Sequence, residues 1–251
     1  MQEYLLFQLY GPFQSWGDVA VGEIRPDSRR PTKSALLGLL AGALGIRRDH
    51  DETHMHMAES YGTAVRQDAA GIPFRDYHTV QTASARKGRI YRCRRDMLGG
   101  MLEQNEDLHT IITYRDYLSD AGFSICIWTK VDQPPFTLQE MAEALRHPVF
   151  VPYLGRKSCP PGLPFAPRVV EAENPSNAFA GYPVDGRVAE GLLMELQASV
   201  GLFWDSGVDA GIQETRIESP RDVPISRNRW QFAPRDMSVG AVEAPKHREW
   251  K

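Results

Sequence analysis

The segment RPTKSALLGLLAGALGI, residues 30–46, is the strongest helix signal in the sequence. Thr32 can accept a hydrogen bond from a free amide of the first turn, and Gly45 can end the helix in the left-handed conformation. Gly38 and Gly42 lie four residues apart on one face, which indicates a close approach of the helix to a sheet. We therefore expect this helix to pack on strands formed by the segments around it.

Strand signals lie on both sides of this helix. Residues 4–10 alternate in the way that predicts a central strand with one packed face and one partly polar face. Further strands are predicted at residues 62–67, 75–82 and 123–128, and a short helix at 138–146 ends before a proline. This order is typical of a ferredoxin-like or RNA-recognition-type sheet in an α+β fold.

A long excursion interrupts that order at about residues 80–113. Two extended arms flank a polar middle that contains glycine, which predicts an inserted β-hairpin. Ten of the 18 prolines fall between Pro134 and Pro183, so that stretch is predicted to be mostly loop. We expect a palm at residues 1–165, which includes the hairpin, and a small β-rich C-terminal region at residues 166–251.

Composition excludes several classes of protein. Of 251 residues, 42% are hydrophobic and 24% are charged, which excludes wholesale disorder. Cys93, Cys126 and Cys159 lie 33 residues apart without a CxxC pair, so neither a disulfide framework nor a cysteine zinc site is indicated. No apolar run approaches the roughly 20 residues that cross a bilayer, and the first residues lack the features of a signal peptide. We expect a cytoplasmic protein that binds no membrane.

Charge is concentrated in one segment. Residues 75–95 carry seven basic side chains and one acid, a net charge of +6, although the whole chain has a net charge of −3. Residues 171–218 carry nine acids and two bases, so that part is not expected to face nucleic acid. Cations with interleaved aromatic rings are typical of single-stranded RNA binding, and a solvated charged loop is the alternative. The candidate RNA-binding residues of this segment are Tyr77, His78, Arg86, Lys87, Arg89, Arg92, Arg94 and Arg95.

Two loops near the N-terminus are further candidates. Lys33 and Ser34 lie at a helix N-terminus, where free amides and the helix dipole favour a phosphate, although the segment can equally serve only as a helix cap. Gln14 and Trp16 lie in the glycine-bounded loop 11–17, where an amide and an indole can meet a base, unless Trp16 belongs to the core.

A third loop combines a glycine with paired cations. Tyr153, Arg156 and Lys157 flank Gly155, so backbone and charge can reach RNA together. This signal is weak when it is taken alone.

The residues give less support for an enzymatic function than for RNA binding. His50, His54 and His56 imitate a metal cluster, but their spacing favours a solvated polar loop, so no metal or other cofactor is predicted. A metal-independent ribonuclease remains an alternative, because His78 and Tyr77 lie near Lys87 and could supply a base, an acid and a cation.

Five blocks of sequence, taken together and in order, resemble the CasD family. Members of this family hold the 5′ end of the guide RNA in the type I-E CRISPR surveillance complex Cascade. The resemblance covers roughly the first 165 residues. The blocks are GPFQSWG at 11–17, RPTKSALLGLLAGALGI at 30–46, RDYHTV at 75–80, TYRDYLSDAGF at 113–123 and PYLGRKSCP at 152–160.

The resemblance implies a fold of the RAMP superfamily, with an RNA-recognition-like palm, a hairpin thumb and a small C-terminal region. It also implies partners: the 5′ handle of CRISPR RNA, the repeated backbone subunits whose filament it caps, the large PAM-reading subunit, and target DNA only indirectly. Arg115 and Tyr153 match family positions that touch the handle, and the loops at 11–17 and 30–34 should line the same groove.

The implied role is that of a binding subunit without catalysis. Related subunits of type I-C systems cleave precursor RNA themselves, which keeps the ribonuclease alternative open, and a general RNA-binding module unrelated to defence is a third possibility. Handle binding through cations should depend strongly on salt.

Overall fold

The computed structural model describes residues 1–83, 90–97, 108–183 and 199–243, which form a mixed α/β structure of mostly β-sheet with few helices. The helices are α1 (Lys33–Ala43), α2 (Asp51–Ser60), α3 (Leu138–Arg146) and α4 (Pro175–Ala180). The strands are β1 (Gln2–Tyr10), β2 (Phe13–Gln14), β3 (Ile24–Arg25), β4 (Tyr61–Ala69), β5 (Ile72–Thr82), β6 (His109–Ser119), β7 (Gly122–Thr129), β8 (Arg168–Ala172), β9 (Ser199–Asp205), β10 (Arg216–Glu218), β11 (Arg221–Ser226), β12 (Gln231–Pro234) and β13 (Met237–Glu243).

An antiparallel main sheet has the strand order β10-β13-β9-β4-β7-β1-β8. Leu5 and Phe7 of β1 face a core shared with α1, α2 and α3. Tyr4 and Leu6 face a second core, which includes Phe179 of α4. Both faces of β1 are therefore buried, and the partly polar face, which includes Gln8, is covered by α4 and the segment before β8.

A smaller sheet carries the long hairpin. Its order is β2-β6-β3, with β5 paired to β6 along eleven residue pairs from Ile72 opposite Ser119 to Thr82 opposite His109. Most of β5 is exposed, because its side chains have no second layer to pack on. Aromatic side chains of β5 and β6 pack against each other at the base of the hairpin, where Phe74 stacks on Tyr117 with ring centroids 5.2 Å apart.

Helix α1 follows its sequence signals closely. The Thr32 side chain accepts a hydrogen bond from the amide of Ala35 at 3.3 Å, and Gly45 has a φ of +80°, so both predicted ends are confirmed. Gly38 was expected to allow a close approach of the helix to a sheet, but it has a different role. A Cβ there would lie 2.9 Å from the guanidinium of Arg227, so the glycine makes room for an arginine of the β11–β12 hairpin.

Helix α2 is where the sequence prediction is wrong. The histidine-rich run around residues 50–56 forms helix instead of a solvated loop. Asp51 in the first turn accepts hydrogen bonds from Ser226 and from the amides of Arg227 and Asn228, so a distant hairpin holds this helix in place. His54 is buried, and its ring nitrogen Nε2 lies 3.1 Å from the carbonyl oxygen of Arg47.

A buried charge network connects α1 to the C-terminal strands. The Lys33 ammonium group lies 2.5 Å from Asp205, which also accepts hydrogen bonds from Thr63 at 2.9 Å and Arg235 at 3.0 Å. Arg235 in turn binds Asp222 at 2.7 Å. Strands from both sides of residue 166 thus share one sheet and one network, and the division into 1–165 and 166–251 stays a prediction.

The sequence also has strand-like runs at residues 191–196 and 199–204. The first lies outside the described residues, and the second is strand β9. Within the described residues, no helix has both the length and the apolar character to cross a membrane.

Candidate nucleic-acid interface

Two of the three loops singled out in the sequence, 11–17 and 152–160, meet at one end of the β5–β6 hairpin, in a surface here called the hairpin base. It surrounds a cavity of about 250 Å³. The side chains that define it are Asp27, Arg29, Phe74, Arg75, Asp116 and Tyr117. Its lining combines two arginines and two aromatic rings with two carboxylates.

Arg75 and Asp116 form the central ion pair of the hairpin base. The Arg75 guanidinium donates to both carboxylate oxygens, at 2.6 and 3.0 Å. This hydrogen bonding, with the charges of Arg156 and Arg29 nearby, holds the pKa of Asp116 below its ordinary value. Arg75 also lies above the Tyr114 ring, 5.8 Å from its centroid, so the guanidinium is held in a fixed position.

Asp27 organises the loop that leads into α1. Its carboxylate accepts the amide hydrogens of Trp16 and Arg29, each at 2.5 Å. Burial raises the pKa of Asp27 to about 6, although both amides and Arg156 favour its charged form. The loop at 11–17 is therefore held to the wall of the hairpin base by a carboxyl that is partly protonated near neutral pH.

The glycine loop at 152–160 packs onto the same place. The amide of Ser15 donates to the carbonyl of Leu154 at 3.1 Å. Gly155 has a φ of +83°, and a Cβ there would lie 1.8 Å from the Ser15 carbonyl oxygen, so only glycine fits. Next to it, the Arg156 guanidinium lies 4.9 Å from the centroid of the Tyr117 ring.

Arg115, which the resemblance assigns to the handle, lies on β6 beside the hairpin base and is half-buried. It is opposite Asp76 of β5 on one side and Arg25 of β3 on the other. Tyr77 packs against Tyr114, with ring centroids 5.7 Å apart, and remains mostly exposed.

Three predicted contact residues are not on this surface. Gln14 is buried and donates to the Ala121 carbonyl at 2.5 Å, and the Trp16 indole, also buried, donates to Gln14 at 2.9 Å. Lys33 is 3% exposed, and burial lowers its pKa despite the opposing effect of Asp205. These side chains use their polar groups inside the protein and present none of them to the surface in this structure.

The N-terminus of α1 likewise has an internal anion. The amide of Lys33 donates to Asp222 at 2.8 Å, so a carboxylate of the same chain occupies the position expected for a phosphate. The Ser34 hydroxyl lies 3.3 Å from the Thr32 hydroxyl, and the Ser34 carbonyl accepts from Arg227. The capping interpretation of this segment agrees with the structure.

The remaining candidates are on the surface. Arg92, Arg94 and Arg95 are exposed near a helical turn at 94–97, and Lys157 is exposed beside Arg156. Tyr153 is 41% exposed. The predicted contacts of Arg86, Lys87 and Arg89 lie outside the described residues.

Some arginines of this region were not among the predicted contact residues. In the described part of the chain, five arginines and three carboxylates lie at or beside the hairpin base, on both faces of the β5–β6 hairpin, because Arg75 and Arg115 belong to successive residue pairs. The arginines are Arg25, Arg29, Arg75, Arg115 and Arg156, and the acids are Asp27, Asp76 and Asp116. Only the cluster of arginines at 25–30, ahead of the helix, could have signalled the first two.

The surface combines cations and aromatic rings, whereas the geometry gives little support for catalysis. His78 Nδ1 lies 2.8 Å from Asp76 Oδ2 but has no hydrogen-bond partner within the described ranges. Among the described residues, no three His, Cys, Asp or Glu side chains group as metal ligands.

Comparison with known proteins identifies the class to which this fold and surface belong. The family model described as CRISPR-associated protein (Cas_Cas5) matches residues 4–238, and the chain belongs to this family of CRISPR-associated proteins. A curated relative, "CRISPR system Cascade subunit CasD" of Escherichia coli (strain K12), is 36% identical over 197 residues, which cover 75% of this chain and 81% of the relative.

Two solved structures share the fold. A chain of a "CRISPR RNA-guided surveillance complex" superposes with a TM-score of 0.65 at 23% identity, covering 96% of this chain and 91% of that one. A "Crystal structure of Cas protein" gives a TM-score of 0.58 at 25% identity, covering 97% and 95%. Family membership, as predicted from the five sequence blocks, is confirmed.

Proposed function

We propose that this protein is a CRISPR RNA-binding subunit of a Cascade-type antiviral surveillance complex. It holds the 5′ handle of the guide, caps the filament of repeated backbone subunits and lies next to the large PAM-reading subunit. The observation that carries the proposal is the convergence of the loops at 11–17 and 152–160 with strands β5 and β6 at the arginine-rich base of the hairpin. Its relation to the Cascade subunit CasD supports the same assignment.

In this proposal the β5–β6 hairpin is the thumb, and the strands and helices of residues 1–165 are the palm. The exposed face of β5 and the arginines at 92–95 line the path of the RNA. Arg115, Arg156 and Lys157 provide contacts to phosphates or base edges, and Tyr77 and Tyr153 provide stacking faces. Residues 166–251 form the small C-terminal region, and Gln14, Trp16 and Lys33 support the groove from behind.

Binding measurements test this assignment. Fluorescence anisotropy should show tighter binding of a repeat-derived 5′ handle than of a scrambled RNA of equal length, with affinity falling steeply as salt rises. Arg115→Ala and Tyr153→Ala should each weaken handle binding, whereas Arg168→Ala, an exposed arginine on edge strand β8, is the matched control. Equal affinity for both RNAs, unchanged by either variant, would contradict the proposal.

We propose further that the subunit binds without cutting. The ribonuclease alternative depends on His78, which lies 2.8 Å from Asp76 and beside the exposed Tyr77. Incubation of precursor RNA with the purified protein in EDTA separates the two functions. An unchanged gel pattern is expected, and cleavage that disappears in His78→Ala would establish the enzyme instead.

A further inference from the structure

The tip of the β11–β12 hairpin carries an exposed indole among arginines, in a surface here called the tryptophan patch. Trp230 is 60% exposed. The Arg48 guanidinium, from the loop after α1, lies 3.8 Å above the indole centroid, and the Phe232 ring lies 6.2 Å away. Arg227 and Arg229 precede Trp230 by three residues and by one.

This patch is held rigidly although it lies on a turn. Asp51 of α2 accepts hydrogen bonds from the Ser226 hydroxyl at 2.6 Å and from the amides of Arg227 and Asn228 at 2.7 and 3.1 Å. Trp230 has a φ of +53°, a left-handed conformation that a bulky side chain rarely adopts. The hairpin therefore maintains an unfavourable backbone conformation that displays the indole.

The charges of the patch are not neutralised by the described residues. Arg48, Arg227 and Arg229 have no ion pair with a carboxylate in that part of the chain, whereas the neighbouring Arg47 lies 3.4 Å from Asp49. Burial lowers the pKa of Arg227, and the charge of Arg48 lowers it further. Such a group of cations favours an anionic ligand.

The patch adjoins the surface already described. The segment that leads into Tyr153 lies on α1, where the amides of Val149 and Phe150 donate to the carbonyls of Ala43 and Gly42, and Arg227 donates to the Ser34 carbonyl of the same helix. Tyr153 precedes Gly155 and Arg156, which pack against the loop at 11–17 and the Tyr117 ring of the hairpin base. The loop that carries Tyr153 therefore connects the hairpin base with the helix on which Arg227 lies.

We propose that the tryptophan patch is a second RNA subsite, where one unpaired base of the guide stacks on Trp230 and adjacent phosphates bind Arg48 and Arg229. This inference rests on the proposed function and extends it. Arg48 covers one side of the indole, and the exposed remainder offers a flat face to a base. Continuity with the hairpin base favours RNA over an acidic protein surface, which would not require a planar ring between the cations.

The test uses the full-length protein and a fluorescein-labelled handle RNA extended by several unpaired nucleotides at each end. Trp230→Ala should weaken binding about tenfold, the loss expected for one stacked base. Trp230→Phe should retain most of the affinity, and Arg229→Ala should lower the salt dependence of binding. Ile225→Ala removes an exposed side chain of the same hairpin and should change nothing. Circular dichroism melts establish that each variant is folded.

The outcomes separate this inference from the proposed function. Full affinity in folded Trp230→Ala, together with weakened binding in Arg115→Ala, overturns the second subsite and leaves the proposed function standing. Unchanged binding in both variants, without preference for the handle, overturns both. If Trp230→Ala binds RNA normally but no longer co-purifies with its complex, the patch is a protein interface and the inference is wrong.

Discussion

Substitution of Lys33 distinguishes a residue that binds RNA from one that stabilises the fold. Its ammonium group lies 2.5 Å from Asp205 inside the protein, and the side chain is 3% exposed. Removal of one partner of a buried ion pair costs about 3–5 kcal/mol, because the other charge remains buried. Asp205 retains Arg235 at 3.0 Å and Thr63 at 2.9 Å in Lys33→Met, so we expect the low end, about 3 kcal/mol.

Urea unfolding followed by far-ultraviolet circular dichroism measures this loss. The double variant Lys33→Met/Asp205→Asn removes the charge imbalance, so the two losses should fall short of additivity by at least about 1 kcal/mol. Under conditions where Lys33→Met is folded, its affinity for handle RNA should equal that of the unmodified protein.

The exposed Lys157 is the matched control. Lys157→Met should leave the free energy of unfolding within about 0.5 kcal/mol and weaken RNA binding, the reverse of Lys33→Met. The reasoning is refuted if Lys33→Met is as stable as the unmodified protein, or if it is folded and has lost RNA affinity.

Three further substitutions test the hairpin base. Gly155→Ala should unfold the 152–160 loop or lower the free energy of unfolding by more than about 2 kcal/mol, because its Cβ would lie 1.8 Å from a carbonyl oxygen. The control is Gly207→Ala, where φ is similar at +82° but the space is open. It should lower the free energy of unfolding by only about 1 kcal/mol in the same thermal melts. Burial raises the pKa of Asp27 to about 6. Its contribution to the free energy of unfolding is therefore greatest below about pH 4 and is lost as the pH rises through 6. Urea titrations of Asp27→Asn should lack this pH dependence. Arg115→Ala should reduce the slope of log affinity against log salt by nearly one if its guanidinium binds one phosphate, and an unchanged slope would remove it from the interface.

Local signals made much of the fold predictable from sequence. Helix α3 has the predicted bounds of 138–146, because Thr137 and Glu140 form a capping box and a proline follows its end. Helix α2 was missed, because its polar run has little helical periodicity and its first turn is held by a hairpin about 175 residues away in sequence.

The candidate site was predictable only in part, for the same reason. Tyr153 and Lys157 are exposed and Arg115 is half-buried, and their contacts with the handle stay a prediction. Lys33 looked like a surface cation because its partners Asp205 and Asp222 lie 172 and 189 residues further along the chain. Burial of a charge by such distant partners leaves no trace in a local window of sequence.

Strand β13 ends at residue 243 and lies inside the main sheet, between β9 and β10, where its register with β9 runs over seven residue pairs. During synthesis, therefore, residues up to 243 must leave the ribosome before β9 gains its second neighbour, whereas Lys33 can meet its counter-ion Asp205 as soon as β9 is available. We expect that a chain released before residue 243 cannot complete the main sheet.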